Sequence, residues 1–412
     1  MIQINNLSKS YGLQELFSNL SFKLNAGNKI GLVGRNGSGK STLFKLLMGI
    51  EEADSGDISI PKGYKIGSLE QHLVFTEETL EAEASLALEY DYEFYKVEKI
   101  LFGLGFTTED LAKNPLDFSG GYQIRINLAK LLVTEPNLLL LDEPTNYLDI
   151  VSLRWLKTFL KEFEGEVLII THDRDFMDSF TTHTMGIVRR TLFAIPGNTY
   201  KYYTRLAEND ELFAKEKVNQ DKKRKELEEF VARNKARAST ASLAQSKQKQ
   251  LDKMEDMGTR EVEKSISFNF NFKHTTAKNT LAASDVSFGY DPENLLFKDI
   301  NFVLEKGKTI AIIGKNGKGK STLLNTLAGE LTAVSGTLES HESIKFAHFG
   351  QTNISRLDPK NTILSEISGI GVSEQLARNL AGGMMFSGDL VEKKFGVLSG
   401  GEKSRVMLAQ IL

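Results

Sequence analysis

Short, continuous apolar runs alternate with longer helix-patterned stretches over most of this chain. Ile30 to Val33, Leu138 to Leu141, Val167 to Ile170 and Ile310 to Ile313 are strand-sized. Leu138 to Leu141 is aliphatic throughout after Pro136-Asn137, which predicts a parallel strand buried on both faces. Helix-like runs follow two of these strands, Thr42 to Met48 and Thr322 to Ala328, and another helix is expected from Tyr122 to Val133. The segment from Asn198 to Met257 contains no Gly and no Pro and is rich in Ala, Glu, Lys, Leu and Gln, the composition of a helix. As one helix it would span about 90 Å. Ala238-Ser239-Thr240-Ala241-Ser242 offers a break with capping hydroxyls, so two long helices joined near residues 238–242 are expected.

The strand-to-helix junctions carry the first chemistry. Gly34-Arg35-Asn36-Gly37-Ser38-Gly39-Lys40-Ser41-Thr42 and Gly314-Lys315-Asn316-Gly317-Lys318-Gly319-Lys320-Ser321-Thr322 both fit G-x-x-x-x-G-K-[ST] between an apolar run and a helix. The glycines let several N–H groups converge on one anion, and the following helix adds its positive dipole end. Lys40 and Lys320 then reach terminal phosphates, and Ser41 and Ser321 are placed to ligate magnesium. The loops are 280 residues apart, and so are Leu16-Phe17 and Leu296-Phe297, Gly27 and Gly307, Gln71 and Gln351, and Ser119-Gly120-Gly121 and Ser399-Gly400-Gly401. This is a duplicated domain, because the period far exceeds that of a solenoid repeat.

Composition narrows the setting. A chain of 412 residues with 41% hydrophobic content suits two or three globular domains. The net charge of −3 announces no nucleic-acid partner for the chain as a whole. Cysteine is absent, which removes disulfides and Cys-ligated zinc or iron–sulfur sites. No apolar run approaches the roughly 20 residues of a membrane span, and Met1-Ile2-Gln3-Ile4 lacks the features of a signal peptide, so a cytoplasmic protein without membrane insertion is expected.

Copy one carries the rest of a hydrolysis site. The strand Leu138 to Leu141 runs into Asp142 and Glu143. Asp142, at the strand's carboxyl end, is placed to hold magnesium through water. Glu143, one residue on, points to where water would attack a terminal phosphate. Asp-Glu-Pro is also a common turn, but the phosphate loop upstream favours catalysis.

Phe118-Ser119-Gly120-Gly121-Tyr122-Gln123 followed by Asp142-Glu143-Pro144-Thr145-Asn146-Tyr147-Leu148-Asp149 resembles the ATP-binding cassette superfamily. The Asn146 to Asp149 variant, the aromatic after the double glycine and the inter-cassette helices resemble its ABC-F subfamily, which has two cassettes on one chain and no membrane spans. The resemblance implies an α/β fold: two tandem P-loop ATP-binding cassettes joined by a long helical hairpin. Residues 1–200 form cassette one, 201–264 the hairpin with a basic tip, and 279–412 cassette two. It also implies an ATPase using ATP and Mg2+.

Site roles follow from the same resemblance. Tyr11 and Tyr290 would stack on adenine, although ordinary strand filling remains open for both. Gln71 and Gln351 would contact magnesium and the attacking water. His172, after the run Ile169-Ile170-Thr171, resembles the switch histidine that touches the terminal phosphate. The Ser-Gly-Gly segments would act in trans, each closing on ATP held by the other cassette's phosphate loop.

Copy two departs from the pattern. It reaches Leu412 before the counterparts of Asp142, Glu143 and His172, so a truncated product or partial gene is expected, with a naturally shortened cassette as the alternative. About a third of its sheet should be missing, with apolar strand edges exposed. Site one, with Lys40, Gln71, Asp142, Glu143, His172 and Ser399-Gly400-Gly401, is complete, whereas site two, with Lys320, Gln351 and Ser119-Gly120-Gly121, has no catalytic acid.

The hairpin sequence points to a partner. Between Val231 and Gln250 lie Arg233, Lys235, Arg237, Lys247 and Lys249 and no acid. That is either a solvated linker face or a basic tip that meets RNA phosphates. The family resemblance implies the ribosome and tRNA, near the tRNA exit region, with modulation of translation. A transporter ATPase subunit with separate membrane chains, or a DNA-associated double-cassette ATPase, is the alternative. The interval from Gln71 to Ser119 equals that from Gln351 to Ser399, so neither copy should carry an insertion there and any arm should be short.

Overall fold

The structure, a computed structural model, describes residues 1–412 except 13, 70–74, 89, 235–240, 255–265, 267, 271–276, 292–293, 315–316, 343 and 351–356. The chain divides into two compact units, Met1–Glu261 and Val262–Leu412. In unit 1, β1 (Ile2–Tyr11), β2 (Gln14–Leu24) and β4 (Ser55–Ser59) form an antiparallel sheet ordered β2-β1-β4. A six-stranded sheet is ordered β5-β6-β7-β3-β8-β9. Its members are β3 (Lys29–Val33), β5 (Ile66–Ser68), β6 (Leu138–Asp142), β7 (Glu166–Ile170), β8 (His183–Val188) and β9 (Thr191–Pro196). The first five are parallel, and β9 closes the edge antiparallel to β8.

The apolar runs behave as strands buried on both faces. Leu139 and Leu141 of β6 join one core with Ile126, Leu132 and Leu156. Leu138 and Leu140 join another with Leu43, Phe44, Phe17 and Leu20. Side chains alternate across a strand, so one continuous leucine run feeds both cores. The first core holds α2 (Leu80–Ser85), α3 (Phe94–Gly103), α4 (Gly120–Val133) and α5 (Ile150–Glu162); the second holds α1 (Lys40–Leu47).

After the short α6 (Arg174–Asp178), α7 (Thr199–Asn234) is a 36-residue helix, about 54 Å long at the usual rise. It packs against α8 (Ala241–Asp252), with Leu227, Val231 and Ala244 buried. Of the two long helices expected, only the first is long, since α8 has only 12 residues. The junction at 235–240, with Lys235 and Arg237, lies outside the described residues.

Unit 2 repeats part of this plan. β10 (Asn279–Phe288), β11 (Phe297–Glu305) and β12 (Ser335–Ser340) form a sheet ordered β11-β10-β12. Helices α9 (Lys320–Leu327), α10 (Ile363–Ser368), α11 (Glu374–Gly383) and α12 (Gly400–Ile411) follow, and the last three share a core. Two expectations need correction. Ile310 to Ile313 is not a strand, and Ile310 and Ile313 are 48% and 73% exposed. Its counterpart β3 is held between β7 and β8, whereas among the described residues no strand pairs with this run. The equal intervals before the Ser-Gly-Gly segments also conceal a difference. Eight residues, 86–93, join α2 to α3, whereas five, 369–373, join α10 to α11, and a three-residue shift before α2 offsets the excess.

Candidate active site

The phosphate loop lies at the carboxyl end of β3, between β7 and β8 in the sheet. Gly34, Gly37 and Gly39 have φ of 148°, 79° and 92°, a region that favours glycine. Gly39 is also close-packed: a Cβ there would come within 2.9 Å of the Phe17 ring, and at Gly319 within 2.7 Å of Leu296. The repeated Leu-Phe pairs are thus the floor of each loop. Gly39 caps α1 with no side chain, leaving the first-turn N–H groups for an anion.

Lys40 Nζ curls back onto the loop, donating to Gly34 O at 2.8 Å and Arg35 O at 2.9 Å. Burial lowers its pKa, against the charges of Asp142 and Glu143, which raise it. Lys320 makes the same contact, donating to Gly314 O at 2.9 Å. Ser38 Oγ is buried without a hydrogen-bond partner among the described residues. A buried hydroxyl, a lysine folded over loop carbonyls and free helix N–H groups together fit a polyphosphate.

Two carboxylates close the site from β6. Ser41 Oγ donates to Asp142 Oδ2 at 2.7 Å, pairing two hard oxygen ligands suited to magnesium. Glu143 sits at the left-handed φ of 50°, and its N–H donates to Ile170 O at 2.8 Å. For a glutamate that conformation is strained, and such strain concentrates where geometry serves chemistry. His172 N–H donates to Glu143 Oε2 at 3.3 Å, and its Nε2 lies 3.5 Å from Glu143 Oε1. Burial pushes the Glu143 carboxyl above its ordinary value; Asp142 adds to the shift, and His172 and Lys40 oppose it. Lys40, Ser41, Asp142, Glu143 and His172 therefore gather at one edge of the sheet.

The other candidates are distributed around this centre. Tyr11 is 47% exposed, bonds through its hydroxyl to Glu51 and touches Thr42 at the start of α1. In unit 2 the hydroxyls of Tyr290 and Thr322 are 3.5 Å apart, and Tyr290 is 77% exposed. Asn36, Gly317 and Lys318 are exposed on their loops, and Ser321 lies in the first turn of α9. Gln71, Gln351 and Asn316 lie outside the described residues. Arg233 pairs with Glu229 at 2.8 Å, Lys247 donates to Gln250 at 3.2 Å, and Lys249 is exposed.

Ser119 caps α4 without a side-chain bond, ahead of Gly120 and Gly121. In unit 2, Ser399 precedes Gly400 and Gly401 in a capping box. Its N–H and hydroxyl both donate to Glu402 Oε2 at 2.8 Å. The Ser-x-x-Glu spacing carried that signal in the sequence. Nothing in the sequence marked Arg125 of α4, which is fully buried. It lies 3.4 Å from Asp149, the cap of α5, and donates to Leu104 O at 3.0 Å. The pair ties the Ser-Gly-Gly helix to the turn that follows Glu143.

Comparison with known proteins gives this constellation its family. A profile described as ABC transporter matches residues 17–146 and 297–412, and a second of the same description matches 185–270. The chain belongs to the ATP-binding cassette family. Within it the chain is an ABC-F protein, an ATPase that uses ATP and magnesium. The putative ATP-binding protein YdiF of Bacillus subtilis is 34% identical over 459 residues, spanning 100% of this chain and 71% of that protein. The probable ATP-binding protein YheS of Escherichia coli K12 is 32% identical over 453 residues, spanning 100% and 70%. Protein GCN20 of Saccharomyces cerevisiae is 30% identical over 459 residues, spanning 97% and 60%. Among the described residues of this cassette protein, no helix is long and apolar enough to cross a membrane.

Proposed function

We propose that this protein is a cytoplasmic ABC-F ATPase that binds the ribosome near the tRNA exit region and modulates translation. Closure of its cassettes on ATP would set the α7–α8 hairpin against RNA. The observation that carries the reading is this hairpin, whose 36-residue first helix approaches a segment holding five basic residues and no acid. Arg233, Lys235, Arg237, Lys247 and Lys249 would meet RNA phosphates. The exposed Arg233–Glu229 pair is no obstacle, because such pairs contribute little in water.

At the first site, the loop N–H groups, Lys40 and Ser38 bind the phosphates, and Tyr11 offers a face to the base. Ser41 and Asp142 hold magnesium, which neutralises developing phosphate charge when bound. Glu143 orients the attacking water, His172 steadies Glu143 and the terminal phosphate, and Gln71, outside the described residues, would contact magnesium and the attacking water. Ser399-Gly400-Gly401 closes on this nucleotide, and Ser119-Gly120-Gly121 on the one held by Lys320, Ser321 and Thr322. Burial of Glu143 suits this role, since a desolvated carboxylate holds water more firmly.

Co-sedimentation with ribosomes tests the reading. ATP should increase the bound fraction, ADP should not, and rising salt should release the protein. Absence of ATP-dependent, salt-sensitive binding would favour a transporter motor subunit instead.

A further inference from the structure

Unit 1 holds a second concave feature, a cavity of about 890 Å³, at the opposite edge of the six-stranded sheet from the phosphate loop. The loop follows the carboxyl end of β3, and Asp142 ends β6. The cavity is lined instead by Gly27, just before β3, by Asn137, just before β6, and by Glu166, the first residue of β7. β6 has five residues, so roughly 16 Å of strand separates the two features.

One wall is an aromatic ladder on α5. Trp155 and Phe159 stack with ring centroids 5.4 Å apart, and Phe159 and Phe163 with centroids 6.0 Å apart. The indole is seated against bare backbone, since a Cβ at Gly103 would lie 2.1 Å from it. Beside the ladder stands Glu166, only 5% exposed. Its Oε2 accepts the Tyr64 hydroxyl at 2.8 Å, and its Oε1 has no hydrogen-bond partner among the described residues. Burial, then the Glu166 carboxylate, pushes the Tyr64 phenol well above its ordinary value, so Tyr64 stays a donor.

The charge balance is slightly acidic. Glu135, Glu162, Glu164 and Glu166 line the cavity against Lys96, Lys99 and the Met1 terminus. Lys96 is already committed to Glu93 at 2.8 Å and Glu135 at 3.1 Å.

We propose that this cavity binds an organic cation, a protonated amine or amidinium carried on a flat apolar body. The cationic head would donate to Glu166 Oε1, and the body would lie along the Trp155, Phe159 and Phe163 rings. Glu166 Oε1 keeps access to solvent through the cavity and so is open to a charge-assisted donor, and stacked aromatic faces attract cations. The volume falls within the usual range for small-molecule sites. Anions, ATP included, would meet four carboxylates here.

Trp155 is the only tryptophan in the chain, so its emission reports on this cavity directly. The protein, held in excess ATP and magnesium to occupy the nucleotide site, is titrated with 9-aminoacridine and, separately, with acridine-9-carboxylate. Calorimetry on the same samples controls for inner-filter effects. The cation should bind saturably and at least about tenfold more tightly than the anion, as a charge-assisted contact requires. Glu166→Gln keeps the Tyr64 contact and should weaken the cation by about tenfold. Exposed Glu162→Gln with Glu164→Gln spares the fold and should weaken it about two- to threefold. Equal affinity for the two probes, non-saturable quenching, or a natively folded Glu166→Gln protein that binds unchanged would overturn the proposal. If Glu166→Gln unfolds, unchanged binding by the exposed double variant overturns it instead.

Discussion

Ser41 and Asp142, 101 residues apart in sequence, meet through a 2.7 Å hydrogen bond at the edge of the central sheet. Neither the phosphate loop nor the leucine-rich strand supplies both oxygens; the parallel pairing of β6 with β7, and of β7 with β3, brings them together. Asp142→Asn should raise the magnesium concentration for half-maximal hydrolysis by about tenfold or more, with nucleotide binding in EDTA unchanged. An unaltered magnesium dependence would remove Asp142 from the metal site.

Glu143→Gln should leave ATP binding intact and reduce phosphate release by at least about 100-fold, given how strongly hydrolysis depends on an oriented water. Retained hydrolysis would mean another group orients the water.

Because burial raises the Glu143 pKa in the nucleotide-free protein, the acidic limb of the kcat/KM profile, which reports the free enzyme, should lie above the ordinary value of 4.5. The rate should rise with pH as the carboxylate forms. Stability runs the other way. A raised folded-state pKa favours the protonated native form, so this group's contribution is full below the unfolded pKa and is lost as pH rises through the folded one. Glu143→Gln should flatten that dependence. A limb unmoved from the ordinary carboxylate range, or a stability profile the substitution leaves unchanged, would contradict the assignment.

Arg125→Met removes one partner of a buried pair and leaves Asp149 desolvated at the start of α5. A loss of about 3–5 kcal/mol in denaturant unfolding is expected. A change under about 1 kcal/mol would show that Asp149 is satisfied by its contacts with Val151 and Ser152 alone.

Local patterns carried most of this fold and much of its site. Leu138 to Leu141 read as a doubly buried strand because an aliphatic run suits nothing else at that length. Ile310 to Ile313 has the same pattern and is no strand, because pairing needs neighbours that periodicity within one segment does not supply. The Ser-x-x-Glu spacing of Ser399 and Glu402 is a local signal of the capping box that the sequence reading passed over. Arg125 with Asp149, and Trp155 with Glu166, have no such signal, since each set joins residues on elements that only packing brings together.

Cassette closure should deliver the hairpin to RNA, so the most direct measurement is ribosome association of the Glu143→Gln protein in ATP, followed across salt concentration. A negative log-affinity against log-salt slope is expected. Replacing Arg233, Lys235 and Arg237 by Gln should flatten it by about 0.7 to 0.9 for each RNA phosphate no longer neutralised and, made in the chain that keeps Glu143, should leave basal ATP hydrolysis unchanged. Binding that ignores both nucleotide and salt, or that survives the triple replacement with the same slope, would contradict the account.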